Sequence, residues 1–254
     1  MKSFILCGGM GTRLGIAKNT PPKALIKIGS EPILIHLIKI YLKNDINEIV
    51  LCLGYKGKII LDYFIKKFKK VSKVTYWGSK LKIIKIKINK KIVNLYFVNT
   101  GIKTATGGRL KIANDIIKNK LPFIMSYCDA LADIKIKNLI KTHISSKKMV
   151  TMSSVKYPSQ FGILKMNNNN TVIKFNNNNP ELNYFINAGF FVINPEALKY
   201  VTSMNIFWEN QPISKIIKDK NLHCYIHNGF WKNLDTYKDS LILNKIWKKN
   251  KKKW

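Results

Sequence analysis

Leu6-Cys7-Gly8-Gly9-Met10-Gly11-Thr12-Arg13-Leu14 is the stretch on which the fold turns. The apolar run at residues 3–7 reads as a short buried strand, and it breaks at once into a loop with three glycines. With no Cβ atoms in the way, such a loop lets backbone N–H groups approach a phosphate closely. Thr12 adds a hydroxyl, and Arg13 adds a planar fork that can grip a phosphate in two places. The segment is neither a Walker A loop nor a dinucleotide fingerprint, because the Gly-Lys-Ser/Thr ending is missing and Leu14 stands at the third glycine. Taken alone, it also reads as a turn that is glycine-rich for structural reasons only.

Outward from this loop the periodicity alternates. Residues 32–43 have a helical repeat, residues 48–53 read as a buried strand and residues 58–68 as an amphipathic helix. Residues 71–98 alternate apolar and polar, as in Lys82-Ile83-Ile84-Lys85-Ile86-Lys87-Ile88, which predicts antiparallel strands with one wet face. A helix over 108–118 and a strand over 123–127 follow, with Asp129 just past the strand end. The second half predicts strands at 149–155, 163–166, 172–175, 186–193 and 222–226, a helix at 212–218 and a terminal helix after Asp235. The expected class is α/β: a Rossmann-like, mixed but mostly parallel sheet with helices on both faces. Inserted β-hairpins are expected around 71–98 and 151–175, within one domain spanning 1–254.

Bulk composition narrows the function classes. A chain of 254 residues that is 46% hydrophobic can bury one good core. No apolar run reaches the roughly 18 residues that cross a bilayer. The first residues carry no export-type apolar stretch, so a cytoplasmic protein with no membrane partner is expected. Cys7, Cys52, Cys128 and Cys224 are isolated and are expected to be buried, reduced thiols. His36, His143, His223 and His227 lack the spacing of a triad or metal site and read as structural or surface residues.

The formal net charge of +32 suggests nucleic acid, but its make-up argues otherwise. Of the 45 basic residues only Arg13 and Arg109 are arginine. Isoleucine and asparagine runs (Asn167 to Asn170, Asn176 to Asn179) accompany the lysines, a combination that A/T-rich codons favour. Nucleic-acid readers lean on arginine, so no dedicated nucleic-acid partner is expected, only salt-sensitive adhesion to polyanions. Both arginines lie beside glycine pairs, the second in Thr106-Gly107-Gly108-Arg109. In a chain this rich in lysine, arginine persists where a planar, multidentate donor is needed, and that points to phosphate chemistry.

Beyond the first loop comes Pro21-Pro22-Lys23-Ala24-Leu25. The block Gly-Gly-x-Gly-Thr-Arg-Leu followed by Pro-Lys resembles the signature of the sugar-1-phosphate nucleotidyltransferases. Further blocks keep the family's order over nearly the whole chain. They include Pro32-Ile33-Leu34-Ile35-His36, Leu53-Gly54-Tyr55-Lys56-Gly57, Thr104 through Lys111, Phe161-Gly162 and Ile186 through Phe191. Trp208-Glu209-Asn210-Gln211-Pro212, Gly229-Phe230-Trp231 and Leu234-Asp235-Thr236 complete the series, and the Thr106-Gly107-Gly108-Arg109, Trp-Glu-x-x-Pro and Asp235-Thr236 blocks are similar to the cytidylyl branch in particular.

The resemblance implies Mg²⁺-dependent transfer of CMP from CTP to α-D-glucose 1-phosphate, giving CDP-glucose and pyrophosphate by in-line attack on the α-phosphorus. Catalysis of this kind is mostly positioning and charge neutralisation. By the same resemblance Gly8, Gly9, Gly11, Thr12 and Arg13 hold the triphosphate, and Lys23 joins Arg13 as a catalytic cation on the α-phosphate side. Thr106, Gly107 and Arg109 bind the nucleotide, Asn187 and Tyr127 serve the sugar phosphate, and Phe161 helps shape the cleft. Asp129 and Asp235 hold Mg²⁺, and the chain forms a homo-oligomer. Read without the resemblance, Asp129 is a strand-end turn residue and Asp235 a helix N-cap.

Two departures stand out. The family's Gly-Asp-Gly is Cys128-Asp129-Ala130. Aligned without a gap, its Glu-Lys-Pro falls on Asn177-Asn178-Asn179, removing the lysine that contacts the sugar phosphate; Lys174 would need a register shift to replace it. Weaker sugar binding, another acceptor and drift toward inactivity all stay open. So do three alternatives: another nucleotide or sugar, a weakened nucleotide-sugar-binding homologue that regulates or pairs with another protein, and a polyanion binder.

Overall fold

A computed structural model of the protein describes residues 1–9, 20–68, 73–77, 80–157, 163–169, 171–176, 184–249 and 253–254. β1 (Lys2–Leu6) has four of five residues buried, the pattern of a strand covered on both faces. A two-stranded ladder of β2 (Lys27–Ile28) and β3 (Glu31–Pro32) turns the chain into α1 (Ile33–Lys43). Pro32 caps that helix at φ −56°, the value its ring imposes, and nearly all of α1 is buried. β4 (Glu48–Leu53) and α2 (Gly57–Lys67) complete the first βαβα run. β5 (Lys73–Trp77), β6 (Leu81–Ile88) and β7 (Lys91–Asn99) form an antiparallel meander, and β7 also pairs in parallel with β4.

α3 (Thr106–Ile117), β8 (Phe123–Tyr127), β9 (Ala130–Ala132) and α4 (Ile136–Ser146) follow. Then come β10 (Val150–Tyr157), β11 (Ile163–Met166), β12 (Val172–Asn176) and β13 (Tyr184–Ile193). After a 3₁₀ turn at Pro195–Tyr200, the chain ends with α5 (Gln211–Lys218), β14 (Leu222–Ile226), β15 (Trp231–Asn233) and α6 (Tyr237–Lys248).

Nine strands make the main sheet in the order β14-β10-β13-β8-β1-β4-β7-β6-β5. Following the sense of each pair across it, only β13 and β6 oppose the other seven, in line with the expected mostly parallel sheet. Alternate residues of the central strands feed two cores. Ile5, Ile49 and Leu51 pack with α1 and α2 on one face, while Phe4, Val50 and Cys52 pack with α3 and α5 on the other.

The structure corrects several expectations. The reading placed no element between Tyr127 and Met149, yet α4 lies there, burying Ile136, Leu139 and His143. α3 begins at Thr106, two residues before the expected start. The strands of 71–98 extend the main sheet rather than forming an insertion, and β10 also belongs to it; β11 and β12 form a separate hairpin. Cys7, Cys52 and Cys128 are buried, but Cys224 is exposed because β14 is an edge strand with a partner on one side only. Asp235 does not cap α6. Thr236 does, in a capping box with Asp239, leaving the Asp235 carboxylate for other work. The histidines are structural or surface residues as expected: buried His143, for example, bridges Thr151 and Asn194, each at 3.0 Å. Among the described residues no helix is long and apolar enough to cross a membrane.

Candidate active site

Three parallel strands end side by side. Leu6 of β1 pairs with Cys52 of β4 on one side and with Tyr127 of β8 on the other, so Gly8, Gly54 and Asp129 emerge at the same sheet edge. The chain leaves β1 toward β4 and later returns on the other side as β8, the switch point where open α/β sheets bind ligands. A cavity of about 520 Å³ opens there. Its lining brings together Gly8, Gly9, Lys23, Thr106, Arg109, Tyr127, Asp129 and Asp235 from the sequence reading. Gly11, Thr12, Arg13, Phe161, Gly162 and Asn177 to Asn179 lie outside the described residues.

Asp129 and Asp235 are far apart in sequence but meet because β9 and β15 pair directly beside them, Ala130 opposite Asn233. The Leu234 N–H donates to the Asp129 carbonyl at 2.8 Å and closes the join. Lys23, on a 3₁₀ turn anchored by buried Ala24 and Leu25, reaches between the two carboxylates. Its ammonium donates to Asp129 Oδ2 at 2.6 Å and to Asp235 Oδ1 at 2.7 Å. Burial opposes the charge on Lys23, but Asp129 and then Asp235 outweigh it and hold its pKa above the ordinary lysine value. Asn233 also donates to the other oxygen of Asp235, Oδ2, at 2.7 Å, which helps to orient that carboxylate.

The ammonium marks a point where two carboxylate oxygens converge on one cation. With side-chain exposures of 27% and 32%, both aspartates also keep access to water. Two carboxylates with water and phosphate oxygens suit a hard divalent ion such as Mg²⁺. Among the described residues no cluster of three or more His, Cys, Asp or Glu side chains offers the closed ligand set of a zinc site.

Arg109 is only 4% exposed, and its guanidinium ties the cavity's loops together. Nη1 donates to the Leu53 carbonyl at 3.2 Å and, at 2.7 Å each, to Thr100 Oγ1 and the Gly101 carbonyl. Nη2 donates to the carbonyls of Gly8 at 3.1 Å and Ile102 at 3.2 Å. Two glycines make room for it: a methyl group at Gly8 or Gly54 would overlap the guanidinium. Gly9 differs, since a methyl there would meet no atom of the described residues, so their packing does not require glycine at that position. Gly54→Ala is therefore expected to cost about 2–3 kcal/mol by breaking buried hydrogen bonds. Thermal unfolding should show that loss, with Gly9→Ala unfolding like the wild type.

Gly107 packs under the loop before α5: its N–H donates to the Ile206 carbonyl at 3.0 Å, and an added methyl would lie 2.7 Å from that oxygen. Asn187 does not line the cavity that Tyr127 lines; its Oδ1 accepts from the Gly189 N–H at 2.8 Å. The sequence reading assigned no role to Lys103, Asn205 or Phe207 on the cavity rim, nor to Glu209 behind Tyr127. Only Glu209 left a trace, inside its quoted Trp-Glu block.

Comparison with known proteins shows the family. The profile of the family described as "Nucleotidyl transferase" matches residues 2–246, and the chain belongs to that family. It is 34% identical to the glucose-1-phosphate cytidylyltransferase of Salmonella typhimurium over 257 residues, covering 100% of this chain and 98% of that one. A probable glucose-1-phosphate cytidylyltransferase of Bacillus subtilis is 36% identical over 255 residues, covering 100% and 99%. The crystal structure of HddC from Yersinia pseudotuberculosis complexed with GMP-PN shares the fold, with a TM-score of 0.70 at 18% identity over 97% of this chain and 99% of that one. Enzymes of the nucleotidyl transferase family generally use a divalent metal ion.

Proposed function

We propose that this chain transfers CMP from CTP to α-D-glucose 1-phosphate, forming CDP-glucose and pyrophosphate. The observation that carries the reading is the convergence of Lys23, Asp129 and Asp235 beside Gly8 and Gly9 in one cavity at the sheet's switch point. Full-length relatives named as glucose-1-phosphate cytidylyltransferases support the choice of substrates.

Asp129 and Asp235 would hold Mg²⁺, which when bound would supply charge neutralisation for the phosphates. Gly9 leaves the backbone open to the triphosphate, and Arg109 fixes the Gly8 carbonyl beside it. Lys23, held beside Asp129 and Asp235, neutralises charge on the α-phosphate as the sugar phosphate oxygen attacks and pyrophosphate departs. Arg13, with Gly11 and Thr12, belongs to the triphosphate loop, Thr106 and Gly107 support the nucleotide side, and Tyr127 with Asn187 serves the sugar phosphate. The reading also includes one domain, a homo-oligomer and a cytoplasmic setting. Asn177 to Asn179, at the family's lysine position, fit an alternative equally well: the same transfer to a different sugar 1-phosphate.

Pyrophosphate release with glucose 1-phosphate and Mg²⁺, compared across CTP, UTP, dTTP, ATP and GTP, tests the proposal. Release with CTP alone is expected. Release with another sugar 1-phosphate only would establish the alternative acceptor. No release from protein that still binds CTP would sink the transferase reading.

A further inference from the structure

Behind the cavity wall lies a carboxylate that none of these roles uses. Glu209 is half-buried on the loop before α5 and does not line the cavity. Its Oε2 accepts from the Thr106 hydroxyl at 2.7 Å, and its Oε1 accepts from the Tyr127 phenol. Thr106 in turn accepts from the Trp208 N–H at 2.8 Å. Thr106 is the first residue of α3 and Tyr127 the last of β8. One carboxylate therefore joins two cavity-lining hydroxyls that come from different elements.

The chemistry sets a direction. An ionised carboxylate has no proton to give, so both hydroxyls must donate to it. The single proton of Tyr127 is committed to Glu209, and its oxygen is left as an acceptor. Hydrogen bonds to a charged acceptor are about twice as strong as neutral ones, enough to hold two separate elements in one arrangement.

We propose that Glu209 is a positioning residue for nucleotidyl transfer, locking Thr106 on the nucleotide side and Tyr127 on the sugar phosphate side into a single geometry. The proposal rests on the transferase reading above. Without Glu209 each hydroxyl is free to rotate, and the two ligands lose their mutual alignment.

The test compares wild type, Glu209→Gln, Tyr127→Phe and the double variant by calorimetric binding of CTP and of glucose 1-phosphate, by steady-state kinetics and by thermal unfolding. Glutamine keeps the size but offers only one acceptor oxygen to the two donors. It is expected to raise the KM for glucose 1-phosphate about 10-fold and lower kcat by a similar factor. The melting temperature should change by less than about 3 °C. The double variant is expected to be no worse than the more damaging single one, because both changes remove the same contact. Wild-type kinetics in Glu209→Gln, or losses that multiply in the double variant, would overturn the proposal. If Glu209→Gln does not fold, Thr106→Val and Tyr127→Phe replace it: effects coupled through Glu209 are non-additive, and multiplicative effects would overturn the coupling. Wild-type protein that binds neither ligand would overturn the transferase reading and the coupling with it. Wild-type protein that turns over beside an unaffected Glu209→Gln would overturn the coupling alone.

Discussion

Asp129→Asn is expected to lower pyrophosphate release by about 10³-fold or more, equivalent to roughly 4 kcal/mol of transition-state stabilisation. Asparagine preserves the shape and the backbone contact, since the Leu234 N–H bonds to the residue 129 carbonyl and not to its side chain. What it removes is one of the two carboxylates that, among the described residues, converge on the cation point. A metal site built from two acidic side chains has little redundancy, so losing one charge weakens metal binding and charge neutralisation together. Melting temperature and circular dichroism should match the wild type, with the loss confined to turnover and to metal affinity read by Mn²⁺ titration. Near-normal turnover in this variant would remove Asp129 from the proposed metal site.

Lys23→Met should lower turnover by about 10²- to 10³-fold, the usual cost of removing one preorganised charge donor. It should also change how the protein responds to metal. The ammonium sits between two carboxylates, and removing it takes away a cation to which both are bonded. Because both side chains are about a third exposed or less, solvent screens part of the repulsion, and a cost of about 1 kcal/mol in metal-free buffer is the scale to expect. A divalent ion removes that repulsion and no longer competes with the lysine, so added Mg²⁺ should raise the melting temperature of the variant more than that of the wild type. An equal response in both proteins would mean that Lys23 and the ion do not share the carboxylates.

Much of this architecture could be read from the chain because its signals were periodic. β1, β4, α2 and the meander around β6 followed from alternation or a helical repeat. α4 was missed because isoleucine and lysine, which dominate it, also make up β6; in this composition only the period distinguishes helix from strand, and Ile144, on the repeat, is exposed. The meeting of Asp129 and Asp235 was expected only through the family resemblance. Its physical cause, the β9–β15 ladder, rests on two three-residue strands too short for any periodic signal. Glu209 was hidden for a different reason. Nothing in Trp208-Glu209-Asn210 shows that its carboxylate reaches α3 and β8 at once, because that depends on tertiary packing.

The packing of Arg109 between Gly8 and Gly54 bears on how this gene can change. An arginine codon of the AGA type becomes a lysine codon by one nucleotide, in the direction that has already enriched the chain in lysine. A single ammonium, however, cannot reach the acceptors that the two-armed guanidinium spans, and it would leave a void against two glycines that have no side chain to fill it. Nor can either glycine gain a side chain while the arginine remains. A single change at any of the three positions therefore costs buried hydrogen bonds or packing, so Gly8, Gly54 and Arg109 are expected to change together or not at all.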